Sequence, residues 1–176
     1  MVKSLPSSAA CGQPALTGQI EPGVPEMLPS FVLPGPDGVM HGPQDYKQRD
    51  HLLLLIVRSV ALPATRGLLR QFAEAEPVLR EEHCSLLAIS PDQVAANAEA
   101  QTSLQLSFPL LADPAGRVIA LLTRWDAAER AFQPAILLAD RYGEIYRRWV
   151  GAHEDELPPL SELLSCLDYL NCLCCP

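Results

Sequence analysis

Six consecutive residues, Leu52 through Val57, are apolar without a break: Leu-Leu-Leu-Leu-Ile-Val. A strand with one wetted face alternates polar and apolar positions. A strand with no polar position needs cover on both faces, as in a parallel sheet held between helices. A helix is expected next, from about Thr65 to Glu82, with Leu68, Leu69, Phe72 and Leu79 near one stripe. Pro77 lies inside it and predicts a kink or break. A strand–loop–helix unit of this kind is a favoured place for chemistry, because the first N–H groups of the helix lack partners and attract negative charge. Here the loop reads Leu62-Pro63-Ala64-Thr65, with no cysteine, histidine or carboxylate.

Taken in order, the chain alternates. Residues 1–26 are rich in Pro, Gly, Ser and Ala and read as a loose arm. Phe31-Val32-Leu33 reads as a short strand closed by the turn residues Pro34-Gly35-Pro36-Asp37-Gly38. Leu86 to Ile89 is a second buried strand. Ser90-Pro91-Asp92-Gln93 has the form of a helix start, with Ser90 as cap, proline at the first position and Gln93 closing a capping box. Phe108 to Leu111 is apolar again, and Asp113-Pro114 is expected to open a helix to about Leu122. Trp125 to Phe132 is a polar excursion, read as a solvated loop. Ala135 to Ala139 is a buried strand, and Glu144 to Val150 alternates as an antiparallel or edge strand would. Pro158-Pro159 opens a last helix with a Leu160, Leu163, Leu164, Leu167, Leu170 stripe. Alternating strands and helices, then a hairpin and a closing helix, give an α/β three-layer sandwich around a central mixed sheet.

Composition excludes some functions. The 176 residues suit one domain, here 27–170, between the arm and a cysteine-rich tail at 171–176. A net charge of −8, from 13 basic and 21 acidic residues, argues against nucleic acid or an anionic membrane as partner. The first residues lack the apolar run of a secretory signal, and the longest apolar run is far too short to span a bilayer. A cytoplasmic location is therefore expected, where thiols stay reduced.

Several stretches, taken together and in sequence, resemble one family. They are Phe31-Val32-Leu33 with Asp37-Gly38, the apolar strand at Leu52, and Ala88-Ile89-Ser90-Pro91-Asp92. Then come Phe108-Pro109-Leu110-Leu111-Ala112-Asp113-Pro114, Pro134 before its strand, and Asp140-Arg141-Tyr142-Gly143-Glu144-Ile145. Over roughly residues 18 to 170 the chain resembles the thioredoxin-like fold in its alkyl hydroperoxide reductase/thiol-specific antioxidant (peroxiredoxin-like, redoxin) branch. The resemblance implies a reactive cysteine, or a Cys-x-x-Cys pair, in the loop before the first long helix, where the helix terminus stabilises the attacking thiolate. Leu62 and Thr65 stand at the positions of that pair, with Pro63 between them. Leucine has no nucleophile, and a threonine hydroxyl needs a base that the loop lacks. Thr65 is expected to serve as a helix N-cap, and Arg66 to face either solvent or an anion. The resemblance also makes Pro134 a candidate cis-proline, kept for architecture or as the wall of a groove for an extended peptide.

The function expected is thus that of a degenerate peroxiredoxin-like protein with a non-catalytic binding or scaffold role, without cofactor or metal. Its partner would be a protein or peptide, and the resemblance makes a homodimer plausible. The competing expectation is an atypical thiol oxidoreductase that uses displaced tail cysteines, above all Cys174 or Cys175. Cys166 should pack inside the last helix, and Cys84 should be buried at the entry to a strand and inert. The tail spacing Cys166-x5-Cys172-x-Cys174-Cys175 is not that of structural zinc. His41, His51, His83 and His153 are scattered and are expected on the surface or in loops.

Overall fold

A computed structural model describes residues 27–173; the arm expected at 1–26 lies outside the described residues. Strand β3 (His51–Ile56), apolar from Leu52 onward, takes the centre of a five-stranded sheet with β4 (Cys84–Ser90), β5 (Leu110–Ala112), β8 (Ala135–Ala139) and β9 (Ile145–Val150). The order is β5-β4-β3-β8-β9. β3 runs parallel to β4 and antiparallel to β8, so the sheet is mixed, and β9 is an edge, as its alternation suggested. Two short hairpins flank it: β1 (Leu33–Pro34) with β2 (Met40–His41), and β6 (Trp125–Asp126) with β7 (Ala131–Phe132).

Both faces of β3 are covered, which is why Leu52–Ile56 carry no polar side chain. Leu53 and Leu55 point into a core shared with α1 (Pro63–Glu81), α2 (Val94–Leu104) and α4 (Leu160–Leu173). There Leu69, Phe72 and Leu79 of α1 meet Leu163, Leu167 and Leu170 of α4. Leu52, Leu54 and Ile56 point the other way, against Leu28, Phe31, Ile119 and Leu122. The last two belong to α3 (Ile119–Leu122). Each fully buried leucine contributes about 2 kcal/mol of transfer free energy, so the two faces together carry most of the driving force.

Local signals were overruled in several places. Helix α1 runs unbroken through Pro77. Ser90 does not cap a helix: it ends β4, its hydroxyl donates to Asn97 Oδ1 at 2.8 Å, and the N-cap of α2 is Gln93. Asn97 in turn donates to the carbonyls of Leu110 and Leu111, so a buried polar bridge between β4, α2 and β5 outweighs the capping box. Asp113 caps a turn, accepting from the amides of Arg117, Val118 and Ile119, and only the four residues of α3 are helical. The first strand is Leu33–Pro34, starting two residues later than expected and ending one later. The excursion at 125–132 is a hairpin closed by Trp125 and Phe132, edge to face at 5.0 Å. Finally, α4 continues into the expected tail, where Asn171 is still helical.

Candidate functional site

The C-terminal ends of β3 and β4 and the N-terminus of α1 meet at one end of the sheet. Asp92 shapes the loop there: its carboxylate accepts from the Ser59 hydroxyl at 2.9 Å and from the Val60 amide at 2.7 Å. Ser59 O accepts from the Leu62 amide at 3.1 Å. Leu62 becomes the N-cap of α1, with Pro63 at the first helical position where its missing N–H costs nothing. Thr65 is therefore not the N-cap. Its side chain is 0% exposed, and its hydroxyl donates to Glu154 Oε1 at 2.6 Å.

Glu154 comes from the far side of the chain, in a 3-10 turn (Glu154–Glu156) that follows β9. It is 6% exposed and brings a carboxylate to the positive end of the α1 dipole, where negative charge is favoured. The turn has further ties: Arg58 Nη1 lies 2.9 Å from His153 Nδ1, and the Ala152 amide donates to Glu156 Oε2 at 2.8 Å. Pro134 belongs to the same end, since Ala135, the next residue, pairs with Ile56. Pro134, the candidate cis-proline, is trans, and no cis peptide occurs among the described residues. The Gln133 amide donates to Arg124 O, Gln133 O accepts from Thr123, and Pro134 O accepts from Gly151 N, which secures this segment in the trans form. Arg66 reaches Ser103 Oγ at 2.7 Å and Val60 O, so it braces the loop.

The described thiols are elsewhere. Cys84 begins β4 at the opposite end of the sheet, beside the C-terminus of α1. Burial, with the Asp50 carboxylate adding to it, pushes its thiol far above the usual range. Burial also raises Cys166, which packs inside α4 as expected. Cys172 is exposed, while Cys174 and Cys175 lie outside the described residues.

His51, expected at the surface, is fully buried at the start of β3. It is paired in register with Cys84 and 3.2 Å from Asn171 Oδ1. Desolvation by burial lowers its pKa, partly opposed by the Asn171 contact. Among the described residues, no group of three His, Cys, Asp or Glu side chains could hold a metal ion, and no helix is long and apolar enough to cross a membrane. The structure thus brings Leu62, Pro63, Thr65 and Pro134 to one end of the sheet. It adds Glu154 and Arg58, to which no sequence signal pointed, and Asp92, which the sequence marked only as part of a helix start and of the family resemblance. Glu154 is 89 residues from Thr65 and looks like any solvated acid.

The fold has many relatives. Peroxidoxin BcpB from Mycobacterium tuberculosis superposes with a TM-score of 0.70 at 17% identity, covering 84% of this chain and 95% of that one. AhpC from Enterococcus faecalis gives 0.73 at 16% identity, with 87% and 98% covered. A mutant of PrxQ from Xylella fastidiosa gives 0.68 at 15% identity, with 92% and 99% covered. At such identities these likenesses establish the thioredoxin-like fold alone. No curated protein sequence matches the chain. The AhpC/TSA family model, however, matches residues 24–148, well over half of the sequence. On that match, the chain belongs to the AhpC/TSA family.

Proposed function

We propose that this family member has lost thiol chemistry at the α1 N-terminus and acts by binding or scaffolding rather than by turning over peroxide. One observation carries the reading: of the two positions where the family resemblance expects a reactive cysteine, Leu62 has no nucleophile and Thr65 is fully buried and hydrogen-bonded to a buried glutamate. Reduction of a peroxide by a protein thiol starts with a thiolate that the oxidant can touch. A hydroxyl is a far weaker nucleophile at neutral pH, and Thr65 is closed to solvent. A carboxylate already takes the favourable place for an anion.

The competing reading assigns the work to the tail thiols, and geometry counts against it within one chain. Asn171 Nδ2 donates to Glu82, and Asn171 Oδ1 lies on His51, so the end of α4 is anchored at the end of the sheet away from Thr65. The six residues of β3 separate the two ends by about 17 Å. Even fully extended, the four residues from Asn171 to Cys175 reach at most ~14 Å. The partner we favour is a protein or an extended peptide, since a net charge of −8 disfavours polyanions.

Hydroperoxide consumption with a thiol reductant decides between the readings. We expect no turnover above the reductant alone, either for the natural chain or for a variant with all six cysteines changed to serine. Turnover by the natural chain that vanishes in the Cys174→Ser, Cys175→Ser double variant would restore the thiol reading.

A further inference from the structure

A relay of side chains ties the end of α4 to the end of α1 and the start of β3. Asn171 Nδ2 donates to Glu82 O at 3.2 Å and to Glu82 Oε2 at 3.0 Å, and Asn171 Oδ1 lies 3.2 Å from His51 Nε2. Both Glu82 oxygens can only accept, so the amide nitrogen faces them and the amide oxygen faces the ring. An oxygen there requires the proton of neutral His51 on Nε2. Nδ1 is then a bare acceptor, buried and without a hydrogen-bond partner among the described residues. Cys84, the neighbour of His51 in register, donates its thiol to Ser85 O instead. A second proton on the ring would sit on Nδ1, inside the fold, with nothing to accept it. The charges around the ring do not offset this. Asp140 and the carbonyl end of α1 favour a cation, but burial, Arg141 and His83 oppose one.

We propose that His51 is a proton-operated clasp on the last turn of α4: neutral, it holds Asn171 against the start of β3, and protonated, it lets that turn come away so that the ring reaches water. The release is local. It undoes side-chain bonds at a helix end, where the backbone ladder is weakest, while Leu163 and Leu167 stay in the core. Cys172 follows Asn171 directly and leaves this end of the sheet with it.

Hydrogen exchange read by NMR on the whole chain at pH 7.5 and 5.5 tests this, each rate being divided by that of an unstructured peptide at the same pH. A ring open to water titrates at about 6.5, so protection of the Tyr169–Cys172 amides should fall about tenfold between the two conditions. That exchange should not respond to urea below the unfolding transition, because a small opening exposes little surface, whereas the central amides of β3 should respond. His51→Gln should give equal protection of the turn at both pH values. Asn171→Ala, at a partly exposed side chain, should give low protection at both. Ring nitrogen shifts at pH 7.5 should report the neutral Nε2–H form. Protection of the turn that is the same at both pH values in the natural chain overturns the proposal. So does an equal fall in His51→Gln, natural protection in Asn171→Ala, a charged or Nδ1–H ring at pH 7.5, or a urea response matching that of β3, which assigns the exchange to global unfolding.

Discussion

Helix α1 has two ends, and the chain treats them in opposite ways. At the N-terminus the helix dipole is positive, the Asp92-braced loop is ordered, and the position is suited to stabilising an anion. The anion found there is the Glu154 carboxylate, bound to a threonine hydroxyl. At the C-terminus the dipole is negative, and the thiol of Cys84 lies nearby, buried and beside Asp50. Among the described residues, a thiol is present where burial and then the Asp50 carboxylate suppress the thiolate, and none stands where the helix terminus would favour it. On the proposed reading the fold is kept while its chemistry is lost at Leu62 and Thr65, because the field belongs to the backbone and the reactivity to side chains.

The largest effect expected from this contrast is in thiol reactivity. In the folded chain, alkylation of Cys84 should run at least ~10³-fold slower than that of exposed Cys172, since reaction of a buried core thiol needs an opening that costs several kcal/mol. Peptide mass spectrometry after timed quenching measures both rates. Comparable rates would mean that the Cys84 end of the sheet opens freely.

Next comes an attempt to rebuild the missing thiol. Thr65→Cys alone should give a sluggish thiol, because Glu154 opposes a second negative charge. Adding Glu154→Gln removes that opposition and leaves the dipole, so the pH midpoint of alkylation at position 65 should fall by about one unit, tenfold in thiolate. No difference between the single and double variants would show that Glu154 does not govern the site. A smaller effect concerns stability. Thr65→Val removes the partner of a buried carboxylate oxygen and should cost about 1–3 kcal/mol in urea unfolding, against a near-neutral Thr65→Ser.

The same contrast explains what was legible in the sequence. The strands at Leu52, Leu86 and Ala135 and the stripe of α4 follow from apolar runs and spacing, because burial is written residue by residue. The absence of a thiol between Leu62 and Thr65 was legible for the same reason. Glu154 was not, because its meaning arises only when β9 brings the turn after it over α1. Ser90 and Asp113 carried true capping chemistry, yet Ser90 spends its hydroxyl on Asn97, and Asp113 caps a turn rather than a long helix. His51 was misread because a histidine at a strand's start is usually wet, and nothing local revealed that α4 would close over it.

The smallest predicted effect lies at that closed end and depends on pH. Burial holds the folded-state pKa of His51 below its ordinary 6.5. The unfolded chain therefore takes up a proton on acidification before the folded one does, and stability falls where the unfolded state binds more protons. The contribution of neutral His51 is complete above about pH 6.5 and is lost as the pH falls from there toward the depressed folded value. His51→Gln keeps a polar side chain near Asn171 and abolishes the titration. Urea midpoints measured between pH 7.5 and 5 should thus fall less steeply in His51→Gln than in the natural chain. Parallel slopes would mean that His51 takes up its proton in the folded state as readily as in the unfolded one. In that case the Cys84 end of the sheet admits water, and the contrast between the two ends of α1 narrows to the Glu154 contact alone.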